Sequence, residues 1–112
     1  MSDIQEIKDA LLKFRDERNW KQFHNAKGLS LTISIEAVKL NELVRWKGQE
    51  EIHEVDEEKV KEELADNLAF SFLLAYNYNL DVKQAVLDKI EKNGEKYPVE
   101  KARNSAKKYN QL

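Results

Sequence analysis

The sequence has no cysteine, and it contains only three glycines and one proline among its 112 residues. The absence of cysteine excludes disulfides, zinc-thiolate sites and a cysteine nucleophile, and it suits a reducing compartment. The scarcity of glycine and proline leaves few positions at which a regular helix has to stop. These absences disfavour small disulfide-stapled folds and loop-rich folds.

The sequence also lacks a large excess of either charge. Its 19 lysines and arginines against 21 acidic residues leave a net charge of -2, which gives no general field to attract nucleic acid or an anionic membrane. The most apolar stretch, residues 68–75, is too short to span a bilayer, and the N-terminus lacks a basic segment followed by an apolar one. We therefore expect a cytoplasmic protein with neither nucleic acid nor a membrane as its partner.

The apolar residues that are present recur at spacings of three and four, which is typical of amphipathic helices. The length suffices for one domain with one core, but not for two. We predict an all-α fold in which residues 1–112 form a single four-helix bundle domain. A site that needs more walls than this short chain provides must take them from another subunit, so we also expect an oligomer.

Capping signals predict where the first two helices lie. The first helix is predicted from Asp3 to near Gln22, with Ser2 as its N-cap. A loop is predicted at residues 24–28, and the second helix then extends as far as Trp46.

Similar signals predict the later helices. The third helix is predicted to begin after Asp56, whose carboxylate can cap it, and to reach Ala75 or slightly beyond. Asp81 and Gln84 have the spacing of a capping box that opens a fourth helix, which is predicted to stop at the following Asn-Gly pair. A last short helix is predicted to start at Pro98.

One acidic pair on the predicted third helix has the spacing of a metal site. Glu63 and Asp66 lie three residues apart, so their carboxylates share one helix face and can point at one hard cation. At the edge of a core an unpaired carboxylate is costly, and a magnesium ion held between two facing helices would relieve that cost. Taken alone, however, such a pair is more often a solvated helix surface.

Three segments, residues 15–46, 62–75 and 85–109, together resemble the MazG-like nucleotide pyrophosphohydrolases, and within them the dCTP pyrophosphatase group. The resemblance covers most of the chain, and its segments occur in the family's order. It implies an all-α fold completed by assembly into a homodimer or homotetramer. It also implies magnesium-dependent cleavage of a nucleoside triphosphate, with dCTP-like substrates favoured, into monophosphate and pyrophosphate.

The family's metal signature is Glu-x-x-Glu on one helix and Glu-x-x-Asp on the next. Matched to this sequence, it implies Glu36, Glu63 and Asp66 as magnesium ligands, with Glu36 or Glu63 as the catalytic base. The remaining ligand position holds Lys39, whose ammonium has only donors and cannot bind magnesium.

Three interpretations of Lys39 are open. In the first, the three carboxylates still hold one magnesium ion, with Glu42 shifting toward the gap. In the second, Lys39 binds phosphate in place of the metal, which gives a nucleotide-binding protein with little hydrolysis. In the third, the lysine is a substitution in an otherwise active sequence. A rival from another class is a helical interaction protein that keeps the fold for assembly.

The resemblance also implies a nucleotide pocket. Trp20 and Trp46 match positions whose rings stack on the base, although two core tryptophans would also explain them. His24 either hydrogen-bonds the base or a phosphate, or caps a loop. The family's lysine, asparagine and tyrosine contacts to the nucleotide fall on Lys89, Asn93, Lys96 and Tyr97.

Overall fold

The computed structural model describes residues 2–112, which contain α-helices and short 3₁₀ turns but no strand. The helices are α1 (Asp3–Glu17), α2 (Ala26–Glu42), α3 (Glu57–Asn77), α4 (Val82–Lys96) and α5 (Val99–Ala102). The predicted all-α class is confirmed. Within this part of the chain no helix is both long enough and apolar enough to cross a membrane.

The chain divides into two compact units, residues 2–80 and residues 81–112. In the first unit α2 packs along α3, and α1 also contacts α3. The second unit contains α4 and α5, and there the rings of Tyr97 and Tyr109 pack edge to face with centroids 6.1 Å apart.

The three predicted N-caps are confirmed. The side chains of Ser2, Asp56 and Asp81 each accept a hydrogen bond from a backbone N–H in the first turn of α1, α3 and α4, at 3.1, 3.0 and 3.0 Å. Each bond satisfies a donor that the start of a helix leaves without an intrahelical partner.

The predicted capping box of α4 is only half formed. Gln84 donates its backbone N–H to Asp81, but its side chain bonds Asp88 at 2.8 Å instead of returning to the cap. The predicted stop at the Asn-Gly pair is wrong, since Gly94 has no positive φ and α4 continues to Lys96. The helix ends before Tyr97 because Pro98 disfavours helical backbone in the residue that precedes it.

The first helix ends earlier than predicted. α1 stops at Glu17 instead of near Gln22, because Asn19 adopts left-handed backbone with φ 52°. Asparagine tolerates this conformation better than most residues. A short 3₁₀ turn, Trp20–Phe23, follows and carries the chain toward α2.

The predicted loop at residues 24–28 is largely helical. Asn25 is the N-cap of α2, and its side chain accepts a bond from the backbone N–H of Gly28 at 2.8 Å. α2 therefore begins at Ala26, and it ends at Glu42 because the chain turns over residues 43–46 instead of continuing to Trp46.

Few apolar side chains are buried in the described residues: Leu29 on α2 and Leu73 on α3 are the two such positions. Many large apolar side chains are exposed instead. On α2 the exposed set includes Leu31, Ile35 and Val38, which we call the α2 apolar face. Their spacing of four and three residues places them on one side of the helix.

Candidate active site

Three carboxylates from the paired helices α2 and α3 form what we call the acid cluster. Glu36 comes from α2, while Glu63 and Asp66 come from successive turns of α3. One carboxylate oxygen of each lies within 4.8 Å of the others. Oxygens this close, from flexible side chains, can share a single hard cation. The predicted ligand residues are therefore brought together.

Two oxygens in the acid cluster have no hydrogen-bond partner among the described residues. Glu36 is only 7% exposed, and the Oε2 atoms of both Glu36 and Glu63 are buried and unpaired. Burial, followed by the adjacent Glu36 carboxyl, raises the pKa of Glu63 above the usual range for glutamate, although Lys39 acts in the opposite direction. Leaving buried carboxylate oxygens unsatisfied is costly. An oxygen-preferring divalent cation fits this donor set.

Lys39 lies directly on the acid cluster. Its Nζ donates to Oε1 of Glu36 at 3.2 Å, and half of its side chain remains exposed. The hydrogen bond and charge of Glu36 raise the pKa of Lys39, with smaller contributions from Glu63 and Asp66. The ammonium offsets part of the negative charge of the cluster and bonds Oε1 of Glu36, while Oε2 of Glu36 stays unpaired.

Glu42 lies outside the acid cluster in the described residues, exposed at the last turn of α2. Asn67, next to Asp66 on α3, instead ties the two helices together, with its Nδ2 donating to the backbone carbonyl of Ile33 at 3.5 Å. This bond is at the long limit for a hydrogen bond.

A cavity of about 270 Å³ adjoins the acid cluster, since Asp66 belongs to both. We call it the α1–α3 cavity, because its walls come from those helices and the 3₁₀ turn between α1 and α2. Its apolar lining consists of Leu11, Phe14, Trp20, Ala69, Phe70 and Leu73, and its polar lining of Arg15, His24 and Asp66. An apolar pocket with a few polar groups is typical of a small-molecule site.

Trp20 forms part of the cavity wall while remaining 43% exposed. Its ring packs edge-on against Phe14, with centroids 5.8 Å apart and an interplanar angle of 75°. The guanidinium of Arg18 lies 3.6 Å from the centroid of the Phe14 ring. These contacts hold the indole in place and leave part of its surface open to a ligand.

His24 also lines the cavity, where its Nδ1 is buried and lacks a hydrogen-bond partner within residues 2–112. Burial, and secondarily the positive charge of Arg15, lower the pKa of His24 below its ordinary value of 6.5. A neutral imidazole has one donor nitrogen and one acceptor nitrogen. His24 is therefore suited to hydrogen-bond a polar edge of a bound ring.

Comparison with known proteins identifies the family of this chain. A model described as the MazG-like family matches residues 31–112. The chain belongs to the MazG-like family. Among curated proteins, dCTP pyrophosphatase 1 of Mus musculus is 34% identical over 97% of this chain and 67% of its own length. The same enzyme of Bos taurus is 36% identical over 97% and 68%.

A solved structure supports the same membership. The crystal structure of a pyrophosphatase from Archaeoglobus fulgidus superposes with a TM-score of 0.83 and 36% sequence identity. It covers 88% of this chain and 94% of its own. The expected resemblance to MazG-like proteins is thus confirmed in both sequence and fold.

Sequence reasoning missed Arg15 as a site residue of this MazG-like chain. The available signal was its spacing: Arg15 follows Leu11 by four residues, so both lie on the face of α1 that lines the cavity. An arginine beside Asp16 nevertheless reads as an exposed surface pair, and its position on the cavity wall depends on how α1 meets α3.

The structure does not bring Trp46 to the α1–α3 cavity. Trp46 lies in the turn after α2, 82% exposed, with the guanidinium of Arg45 5.1 Å from its ring centroid. The alternative that it is a core residue within this single chain is wrong. Its stacking on a base stays a prediction.

The remaining predicted nucleotide contacts lie in the second unit. Lys89, Asn93 and Lys96 are exposed on α4, and Tyr97 is its C-cap. Lys96 places its Nζ 5.1 Å from the ring centroid of Tyr109. Their contact with a nucleotide also stays a prediction.

Proposed function

We propose that this chain is a magnesium-dependent nucleoside triphosphate pyrophosphohydrolase that converts dCTP-like substrates to monophosphate and pyrophosphate. The observation that carries the proposal is the junction at Asp66, where a cluster of carboxylates meets an apolar cavity. A nucleoside triphosphate needs a cation for its phosphates and a pocket for its base. Membership of the MazG-like family, and relatives named dCTP pyrophosphatase 1, support it.

Magnesium would be held by Glu36, Glu63 and Asp66, whose oxygens include the two buried and unpaired ones. When bound, the ion neutralises phosphate charge and lowers the pKa of a coordinated water. Glu36 or Glu63 takes the proton from the attacking water as general base. The attack falls on the α-phosphorus, so pyrophosphate is the leaving group.

The α1–α3 cavity would hold the base. Stacking on a ring such as Trp20 contributes about 1–3 kcal/mol per base, and His24 supplies a hydrogen bond to the base edge. Because Asp66 belongs to both the cavity lining and the acid cluster, a base in the cavity would place its phosphates within reach of the cluster. Trp46 is a further proposed base contact. Nucleotide contacts of Lys89, Asn93, Lys96 and Tyr97 are proposed from the family resemblance alone.

Lys39 weakens the proposed activity. Its bond to Glu36 occupies a ligand oxygen, and a cation entering the acid cluster must compete with the ammonium. The same bond favours a second candidate function: nucleotide binding without turnover, in which Lys39 contacts phosphate oxygens in place of a metal. The two differ in their dependence on magnesium.

The test is pyrophosphate release from dCTP with magnesium and with a chelator. A pyrophosphohydrolase releases pyrophosphate with magnesium and stops when the metal is chelated. Isothermal titration on the same samples follows dCTP binding. Binding that is indifferent to magnesium and occurs without release would instead establish the second candidate, and no binding at all would leave a helical interaction protein.

We also propose a single MazG-like domain over residues 1–112 that assembles as a homodimer or homotetramer in the cytoplasm. The α2 apolar face supports assembly, since its three residues are 49–61% exposed in the isolated chain. Sedimentation at micromolar concentration should give an oligomer, and Leu31→Lys should shift it toward monomer. A monomeric unmodified protein would contradict the proposal.

A further inference from the structure

Arg15 is a nearly buried cation on the wall of the α1–α3 cavity. Its side chain is 13% exposed. The other polar residues of the cavity wall are His24 and Asp66, and the rest of the lining is apolar. The Nε of Arg15 donates to Oδ1 of Asp16 at 2.8 Å. Among residues 2–112 this is the side-chain bond that holds the guanidinium, and it leaves the two terminal nitrogens available to a ligand.

The two terminal nitrogens of a guanidinium present parallel N–H donors in a fixed plane. Such a fork matches two acceptors that lie side by side on one edge of a flat ligand. Cytosine offers this pair at N3 and O2, and guanine offers it at O6 and N7. In uracil, N3 carries a hydrogen, so one of the two positions would face the fork with a donor.

We propose that Arg15 is a specificity-determining residue that reads the N3 and O2 acceptors of a cytosine base seated in the α1–α3 cavity. This inference rests on the proposed function, and it names the residue that selects the base. Cytosine is preferred to guanine because the curated relatives are named for dCTP.

The surroundings of Arg15 strengthen the selection. Burial, and secondarily the charge of Arg15, lower the pKa of His24, and Arg15 contributes a guanidinium to the same cavity wall. A base that turns a donor toward this guanidinium leaves both groups unpaired in an apolar space. Sites built to satisfy such pairs reject ligands that lack the matching group far more strongly than ligands that differ only in size.

The experiment measures binding of dCMP, dUMP and dGMP by isothermal titration without magnesium, so that neither turnover nor metal enters. The unmodified protein should bind dCMP at least about tenfold more tightly than dUMP. Arg15→Met should lower dCMP affinity about tenfold and leave dUMP within about twofold, which removes the preference. Lys13→Met, which removes an exposed cation from the same helix, should keep it.

Arg15→Lys guards against a variant that fails to fold. It keeps the positive charge and loses the fork, so the ratio of dCMP to dUMP affinity should fall while the melting temperature is retained. An unchanged ratio in the Arg15 variants would overturn the proposal. Equal binding of dCMP and dUMP by the unmodified protein would also overturn it, and tighter binding of dGMP than dCMP would reject the assignment to cytosine.

Failure here is distinguishable from failure of the proposed function. Pyrophosphate release that persists while the Arg15 variants keep the dCMP preference rejects the role of Arg15 alone. A dCMP preference that the Arg15 variants lose, without any pyrophosphate release in magnesium, supports Arg15 as the base-reading residue and rejects catalysis.

Discussion

The acid cluster and the α1–α3 cavity meet at Asp66 but are built from different helices. The cluster combines α2 with α3, whereas the described cavity lining comes from α1, the turn after it and α3, with no residue of α2. A substitution on α2 can therefore alter the acid cluster without changing the residues that line the cavity. Lys39 of α2 illustrates this separation: it bonds the acid cluster, while Trp20 and His24 line the cavity.

The largest effect is expected from a substitution on α3 that changes the acid cluster and leaves the cavity lining intact. Glu63→Gln removes a charged ligand from the acid cluster and leaves every residue of the cavity lining in place. Pyrophosphate release should fall at least about a hundredfold, or about 2.7 kcal/mol in activation free energy, while dCMP binding changes less than about twofold. Steady-state kinetics and isothermal titration measure the two quantities.

The matched control for Glu63→Gln is Glu62→Gln, which removes the neighbouring exposed acid outside the cluster. It should leave both quantities unchanged. Equal losses in the two variants would mean that general charge on α3, and not the cluster, supports the reaction.

A smaller effect tests whether the base site extends beyond the cavity. Trp46 is 82% exposed, so Trp46→Ala should barely change the melting temperature, in contrast with about 3–5 kcal/mol for a core tryptophan. If its ring stacks on the base, dCTP binding weakens by about 1–3 kcal/mol. Thermal denaturation and titration of dCTP check both. Phe23→Ala, another exposed aromatic outside the cavity lining, is the control.

The result that would contradict the role of Trp46 is a large drop in melting temperature with unchanged affinity. Trp46 would then be a packing residue, buried between subunits, and the base site would be limited to the α1–α3 cavity.

The smallest expected effect concerns pH at the cavity end. The pKa of His24 in the folded protein lies below its ordinary value of 6.5. Between the lowered pKa and the ordinary one, the folded protein therefore binds fewer protons than the unfolded chain. The free energy of unfolding therefore falls as the pH drops from the ordinary histidine pKa toward the lowered one. Between about pH 7.5 and 5.5, the melting temperature of the His24→Gln variant should fall less than that of the unmodified protein. If the melting temperatures of the two proteins change equally with pH, the pKa of His24 is not lowered on folding.

Much of the fold follows from local signals in the sequence. The apolar spacing predicts helices, and the predicted caps Ser2, Asp56 and Asp81 act as caps because each side chain needs only its own first turn. The predicted boundary between α1 and α2 is wrong because two asparagines adopt different backbone conformations there. Asn19 is left-handed and ends one helix region, while Asn25 is extended and caps the next.

The candidate site divides in the same way between local and tertiary information. The pairing of Glu63 with Asp66 follows from helix periodicity, and the addition of Glu36 from a family resemblance. Arg15 could not be placed on the cavity wall from the sequence, because that position depends on the contact between α1 and α3. Trp46 is exposed in the turn that follows the early end of α2 at Glu42. No glycine or proline before Trp46 in that segment predicts this early end.

Lys39 is the residue that decides between a weakened enzyme and a nucleotide-binding protein, and Lys39→Glu tests it most directly. The measurement is pyrophosphate release from dCTP across a magnesium titration, for the unmodified protein and the variant, with Lys27→Glu as an exposed control on the same helix. The glutamate adds an acceptor and frees Oε1 of Glu36, so magnesium affinity and pyrophosphate release should each rise about tenfold or more. No gain in the variant, or a fall in its nucleotide binding, would contradict the weakened-enzyme account.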